Sequence, residues 1–169
     1  MNVLLVDGYN MIGAWPELAR LREKDYELAR NRLIDMLSEY RAYTGYRVII
    51  VFDAHLQKGT EKKHTRANVE IIYTKENETA DEYIEKLAIS LRNIKTQIHV
   101  ATSDFTEQWS IFGQGALRIS ARELLREIQE IKGDIGRSVK KNHQKKLSNR
   151  ISMSEDVAQI FEKWRRRDR

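Results

Sequence analysis

The chain contains no cysteine. Disulfides and every thiolate metal site are thereby excluded. Its eight glycines form no Gly-rich loop of the P-loop or dinucleotide-binding kind. No serine sits in a nucleophile-elbow pattern, which argues against Ser-His-Asp chemistry. No apolar run approaches the ~18 residues of a membrane-spanning helix. The opening Met1-Asn2-Val3 reads as the start of a strand, not as a signal peptide. A soluble, cytoplasmic protein with no membrane partner is expected. The four histidines, His55, His64, His99 and His143, lack close ligand spacing such as His-x-x-x-His, so no zinc site is expected. His99 falls inside an apolar run and reads as structural. His55, beside Asp53, is placed to touch a phosphate, although a loop histidine is usually only solvated.

What is present is enough for a core. At 169 residues and 41% apolar content, one main domain with an appended element is the natural reading. The net charge of +5 is unevenly spread. Residues 137–169 hold 11 Lys/Arg and 4 Asp/Glu, a net of +7, whereas residues 1–136 hold 19 and 21, a net of −2. A basic appendage of residues 137–169 on a near-neutral body of residues 1–136 suits a polyanionic partner. A merely solvated tail is the plainer alternative.

Several aspartates stand just after apolar, β-branched runs. Asp7 follows Val3-Leu4-Leu5-Val6, Asp53 follows Val48-Ile49-Ile50-Val51-Phe52, and Asp104 follows Ile98-His99-Val100-Ala101-Thr102-Ser103. Such runs, alternating with helical stretches, read as buried parallel strands of an α/β sheet. Strands are expected at 2–6, 47–52, 69–73 and 97–102, with a short fifth near 116–119. Helices are expected at 25–43, ended by Gly45, at 80–94, at 104–112 and at 121–132. Residues 11–24 read as irregular or partly helical. Residues 54–68 read as a polar, basic loop carrying Lys58, Lys62, Lys63 and Arg66. Residues 137–153 read as an extended linker carrying Lys140, Lys141, Lys145 and Lys146. A last helix over 155–166 has the apolar stripe Val157, Ile160, Phe161 and Trp164 and is expected to dock on the body. No internal repeat is present, and a βα sandwich of four or five mostly parallel strands follows.

In such sheets the functional crevice lies outside the carboxyl ends of the strands. Asp7, Asp53 and Asp104 are expected to meet there, with Asp81 joining from a helix start. Two unit charges ~5 Å apart repel by roughly 3 kcal/mol at an effective dielectric of ~20. Either some carboxylates keep protons or a hard cation neutralises them. Mg²⁺ or Mn²⁺ suits an all-oxygen site, and such sites commonly act on phosphates. Each acid also has a plainer explanation. Asp7-Gly8 makes a turn, with Gly8 supplying the conformational freedom. Thr79-Ala80-Asp81-Glu82 satisfies a capping box, which explains Glu82 better than Asp81. Asp53 and Asp104 suit helix caps or loop braces. Tyr9, Trp15 or another exposed aromatic is available to stack a base.

Four motifs in order carry a family resemblance. They are Val6-Asp7-Gly8-Tyr9-Asn10, Val51-Phe52-Asp53-Ala54, Thr79-Ala80-Asp81-Glu82-Tyr83-Ile84 and Thr102-Ser103-Asp104-Phe105-Thr106-Glu107-Gln108. In these motifs the chain resembles the YacP-type NYN-domain nucleases of the PIN-like superfamily, over most of residues 1–135. The resemblance implies a three-layer α/β/α PIN-like sandwich and a divalent-metal ribonuclease site. Asp7, Asp81 and Asp104 match the catalytic, metal-holding acids, and Asn10 matches the family's Asn. Some relatives have a further acid about a turn after the strand-four Asp, where this chain has Gln108. Asp53, Glu82 or a water is then left as the further ligand. The resemblance also implies messenger RNA as substrate and the ribosome as partner, which nothing in composition or spacing shows. A monomer is expected.

The reading is therefore a metal-dependent endoribonuclease. Its basic residues at 58–66 and 140–146 would hold the RNA backbone. A catalytically idle RNA- or ribosome-binding module is the main rival. A phosphoryl-transfer receiver is disfavoured, because Ser120-Ala121-Arg122 stands where a lysine would be wanted.

Overall fold

The structure is a computed structural model that describes residues 1–54, 62–103 and 110–136. Two compact units divide the chain, Met1–Gln129 and Glu130–Arg169. Residues 104–109 of the short helix expected at 104–112, the linker, the last helix and its apolar stripe lie outside the described residues.

The first unit is built on a six-stranded sheet. β1 is Asn2–Asp7, β2 Arg47–Phe52, β3 Lys62–Arg66, β4 Val69–Tyr73, β5 Gln97–Ala101 and β6 Leu117–Ile119. The spatial order is β3-β4-β2-β1-β5-β6. All neighbours run parallel except β3 and β4. After β1 the chain moves outward to β2 and β4, then returns to β5 on the other flank. That reversal makes the carboxyl end of β1 the topological switch point, where an open α/β sheet has its crevice.

Helices α1 (Gly8–Ala14), α2 (Pro16–Lys24) and α3 (Tyr26–Thr44) lie between β1 and β2 in sequence; α4 (Ala80–Leu91) lies between β4 and β5. A short α5 (Ser110–Gly113) precedes β6, and residues 121–129 form α6. The period of two in the strands sorts side chains between two layers. Val3, Leu5, Ile49, Val51, Ile72, Ile98 and Val100 form one buried cluster with Ala80, Ile84 and Ala88 of α4. Leu4, Val6, Ile50 and Phe52, one position out of phase, are buried on the opposite face. Gly8 of α1 rests against Ile50 and Phe52 there. The result is the three-layer α/β/α sandwich that the family resemblance implies.

Several expectations change. The sheet has six strands, because Lys62–Arg66 is an edge strand antiparallel to β4 and not part of a loop. Lys62, Lys63 and Arg66 therefore sit on β3. Its sequence, Lys-Lys-His-Thr-Arg, has no apolar signal, as suits an edge that must not pair further. Ala67 and Asn68 join β3 to β4 with positive φ of 51° and 66°, as a primed two-residue hairpin turn requires. Residues 11–24, expected as irregular or partly helical, fall in two helices joined at Trp15, with Pro16 in the first turn of α2 where a missing N–H costs nothing. Trp15 is no surface aromatic: it is 1% exposed, and its Nε1 donates to the Ala121 carbonyl at 2.8 Å. α4 ends at Leu91, before the expected 94. Within the second unit residues 130–136 are helical, past the expected helix end at 132. Gly45 does end α3, in the left-handed conformation at φ 75°.

Candidate active site

Asp7 closes β1 and caps α1. Its Oδ1 accepts from the Asn10 backbone N–H at 3.4 Å and its Oδ2 from Asn10 Nδ2 at 3.1 Å. The side chain is only 6% exposed. Odd positions of β1 face α4, and Asp7 continues that phase. Asp81, in the first turn of α4, consequently shares a side-chain hydrogen bond with Asp7. Asp53, just past β2, accepts from the Ala80 N–H through Oδ2 at 3.3 Å. It also acts electrostatically on Asp7. Three of the four expected acids therefore converge at the switch point. Asp104 lies outside the described residues, as do His55, Lys58, Gln108, Lys140, Lys141, Lys145 and Lys146.

The loop before α4 is held from several sides. Buried Thr74 accepts from the Ala54 N–H at 2.9 Å and donates to the Glu78 carbonyl at 2.7 Å. Thr79 caps α4 by accepting from the Glu82 N–H at 3.2 Å. Glu82 itself is exposed and does not line the cleft, so the structure places it with the cap. The cleft, about 550 Å³, is lined by Asp7, Tyr9, Asn10, Asp53, Asp81 and Ser103 together with small residues of α1 and α4.

Burial raises the Asp7 carboxyl above its ordinary 3.8; the hydrogen bonds from Asn10 and Asp81 partly offset this, and the Asp53 charge adds to the rise. Folded Asp7 thus keeps its proton to higher pH than unfolded Asp7. The stability this lends is complete below 3.8 and is lost as pH rises through the folded value. Asn caps a helix as well as Asp does and cannot ionise. In metal-free buffer Asp7→Asn is therefore expected to melt above wild type at pH 8, with the gap closing as pH falls towards 4. Paired thermal melts across that range check this, and a gap independent of pH contradicts it.

Among the described residues no group of three or more His, Asp or Glu is arranged to hold a metal. The Asp7–Asp81 pair still suits a hard cation. Two carboxyls in hydrogen-bond contact must share a proton unless a cation replaces it. The donors are all oxygen, and Mg²⁺ is commonly bound by one or two carboxylates plus waters.

Lys63 projects to the α4 side, with Nζ 5.8 Å from the Tyr83 ring centroid. Arg66 hydrogen-bonds Asn31 of α3. Tyr9 packs on Phe52 at 5.1 Å, and its hydroxyl accepts from Arg30 at 3.2 Å. Arg30 carries no motif, and nothing in its helical position signals that it reaches the cleft wall. His99 is structural: it stacks on Tyr46 at 5.4 Å, and its Nε2 lies 3.2 Å from Asn2 Oδ1. No described helix is long and apolar enough to cross a membrane.

Comparison with known proteins agrees with this fold. The model of the YacP-like NYN domain matches residues 4–166. A Bacillus subtilis (strain 168) protein named only as uncharacterized protein YacP is 64% identical over 168 residues, covering 99% of each chain. The crystal structure of Rae1 (YacP) from Bacillus subtilis matches with a TM-score of 0.76 at 64% identity, covering 98% of this chain and 95% of that one. Its W164L mutant matches with a TM-score of 0.74 at 63% identity, covering 83% of each.

Proposed function

The chain belongs to the YacP-like NYN domain family, which implies a nuclease-like, RNA-directed role, and from that premise we propose that it is a divalent-metal-dependent endoribonuclease. The observation that carries this is the Asp7–Asp81 carboxyl pair at the switch point, its Asp7 member buried, opening into a 550 Å³ cleft. Asp7 and Asp81, with Asp104 as a third carboxylate, would hold Mg²⁺ or Mn²⁺. Such a cation supplies activation of an attacking water and neutralisation of charge at the leaving oxygen.

The protein's own part is positioning. Asn10 fixes both oxygens of Asp7. Thr79 and Asp53 fix the first turn of α4, and so the place of Asp81. Tyr9 and Ser103 shape the cleft wall where the RNA backbone enters. The basic segment 137–169, net +7, supplies long-range attraction that a body of net −2 lacks. Messenger RNA on the ribosome is the proposed setting, supported by the family resemblance alone.

The test is incubation of an end-labelled single-stranded RNA with the protein in EDTA, Mg²⁺ or Mn²⁺. Internal cuts are expected only with a divalent metal. Cutting in EDTA contradicts metal dependence, and binding without cutting under all conditions favours the idle binding module.

A further inference from the structure

Beside the carboxylate cleft, on the α3 side of the same sheet, the rings of four residues, from α1, two strand ends and the middle of β3, form a row. Tyr9 packs on Phe52 at 5.1 Å, Phe52 stacks on Tyr73 at 5.4 Å and 23°, and Tyr73 stacks on His64 at 5.8 Å and 17°. Phe52 is fully buried and forms the floor, whereas His64 at the far end is exposed. Strand phase explains the row. Phe52 and Tyr73 close β2 and β4, and His64 on β3 is opposite Ile71, two residues before Tyr73. The row begins in the cleft, because Tyr9 also lines it.

Half-buried Arg30 of α3 lies along this row. It donates to the Tyr9 hydroxyl at 3.2 Å and hydrogen-bonds the Tyr73 hydroxyl. Among the described residues its partners are these two phenols and no carboxylate ion pair. Glu27 is felt at Tyr73 less strongly than Arg30 is. A guanidinium has five donors, and two neutral oxygens leave capacity for an anion. At the outer end Arg66, bonded to Asn31, adds a second positive charge on the same face.

We propose that Arg30 and His64 form a nucleotide subsite beside the scissile position, with Arg30 binding an RNA phosphate and His64, backed by Tyr73, stacking a base. This deepens the endoribonuclease reading and rests on it for the polarity of the track, away from the Asp7–Asp81 pair along β4 and β3. Single-stranded RNA is the occupant that fits. Planar rings accept any base, and the flanking cations are arginines, whose fork suits phosphate. A duplex would not offer an unstacked base to His64.

The experiment measures binding of a fluorescein-labelled oligouridylate by anisotropy at several salt concentrations, on an Asp7→Asn background so that the RNA stays intact. Arg30→Gln is expected to weaken binding and to make the log K against log salt slope shallower by about 0.7, the share of one phosphate on a single strand. Arg30→Lys is expected to keep the slope and recover part of the affinity. His64→Ala is expected to weaken binding roughly tenfold with the slope unchanged, and His64→Phe to restore it. Arg92→Gln, at the far end of α4, serves as the charge control and is expected to change little. Thermal melts identify any variant that fails to fold, and the Arg30→Lys and His64→Phe pair then decides.

Parent-like affinity and slope in both Arg30→Gln and His64→Ala would overturn the subsite, as would a parent that binds no RNA. Loss of binding in Arg92→Gln equal to that in Arg30→Gln would overturn it too. If wild type never cleaves RNA yet Arg30 and His64 show these effects, the catalytic reading fails and the subsite stands.

Discussion

Asp7→Asn is expected to lower the rate of RNA cleavage by about a thousandfold or more while leaving the fold intact. The substitution removes the charge that, with Asp81, would hold the cation. A cation's stabilisation of developing charge is worth several kcal/mol, and each 1.36 kcal/mol is tenfold in rate. The fold survives because Asn can accept the same backbone hydrogen bond from Asn10 that caps α1. Initial rates at saturating RNA with Mg²⁺, together with circular dichroism, check both halves. A rate within tenfold of wild type contradicts the assignment. An unfolded variant would instead make Asp7 a turn residue first and a ligand second.

The second large effect is expected in binding. Lys140, Lys141, Lys145 and Lys146 belong to the 137–169 segment of net +7. Replacing all four by Gln is expected to make the salt slope of single-stranded RNA binding shallower by roughly 3, at about 0.7 per phosphate contact. The loss should be similar for every RNA sequence, because phosphate contacts carry no sequence information. The cleavage rate at saturating RNA should change little, because the chemistry is assigned to Asp7 and Asp81. Wild-type affinity and slope in the quadruple variant would contradict this and leave those charges solvated, or reserved for a surface such as ribosomal RNA.

Strong hydrophobic pattern made part of this architecture readable in advance. β1 and β2 carry continuous apolar runs, β4 is apolar apart from Glu70, and α3 has a helical stripe closed by Gly45, so their limits hold to within a residue. The meeting of Asp7 with Asp53 and Asp81 also followed from pattern. All three stand at or near the carboxyl edge of a parallel sheet. β3 is hidden in the sequence because Lys62-Lys63-His64-Thr65-Arg66 contains no apolar residue that a pattern could register.

Gly8 shows a different gap. Composition suggests a turn residue, yet Gly8 is the first residue of α1 and has no positive φ. A Cβ there would lie 2.4 Å from Phe52 Cε1, so the glycine is required by the packing of α1 on β2, not by a turn. Trp15 read as a candidate base-stacking residue because its partner, the Ala121 carbonyl, is 106 residues away. Arg30 is the same case: its meaning depends on Tyr9 and Tyr73, which only the tertiary fold brings to it.

On the proposed reading Asp7 and Asp81 together form a divalent-cation site. Electron paramagnetic resonance of Mn²⁺ titrated into wild type, Asp7→Asn and Asp81→Asn tests it without relying on catalysis. Wild type is expected to take up Mn²⁺ saturably, and each variant is expected to lose that binding. Wild-type Mn²⁺ affinity in either variant, or no saturable binding in wild type, would contradict it.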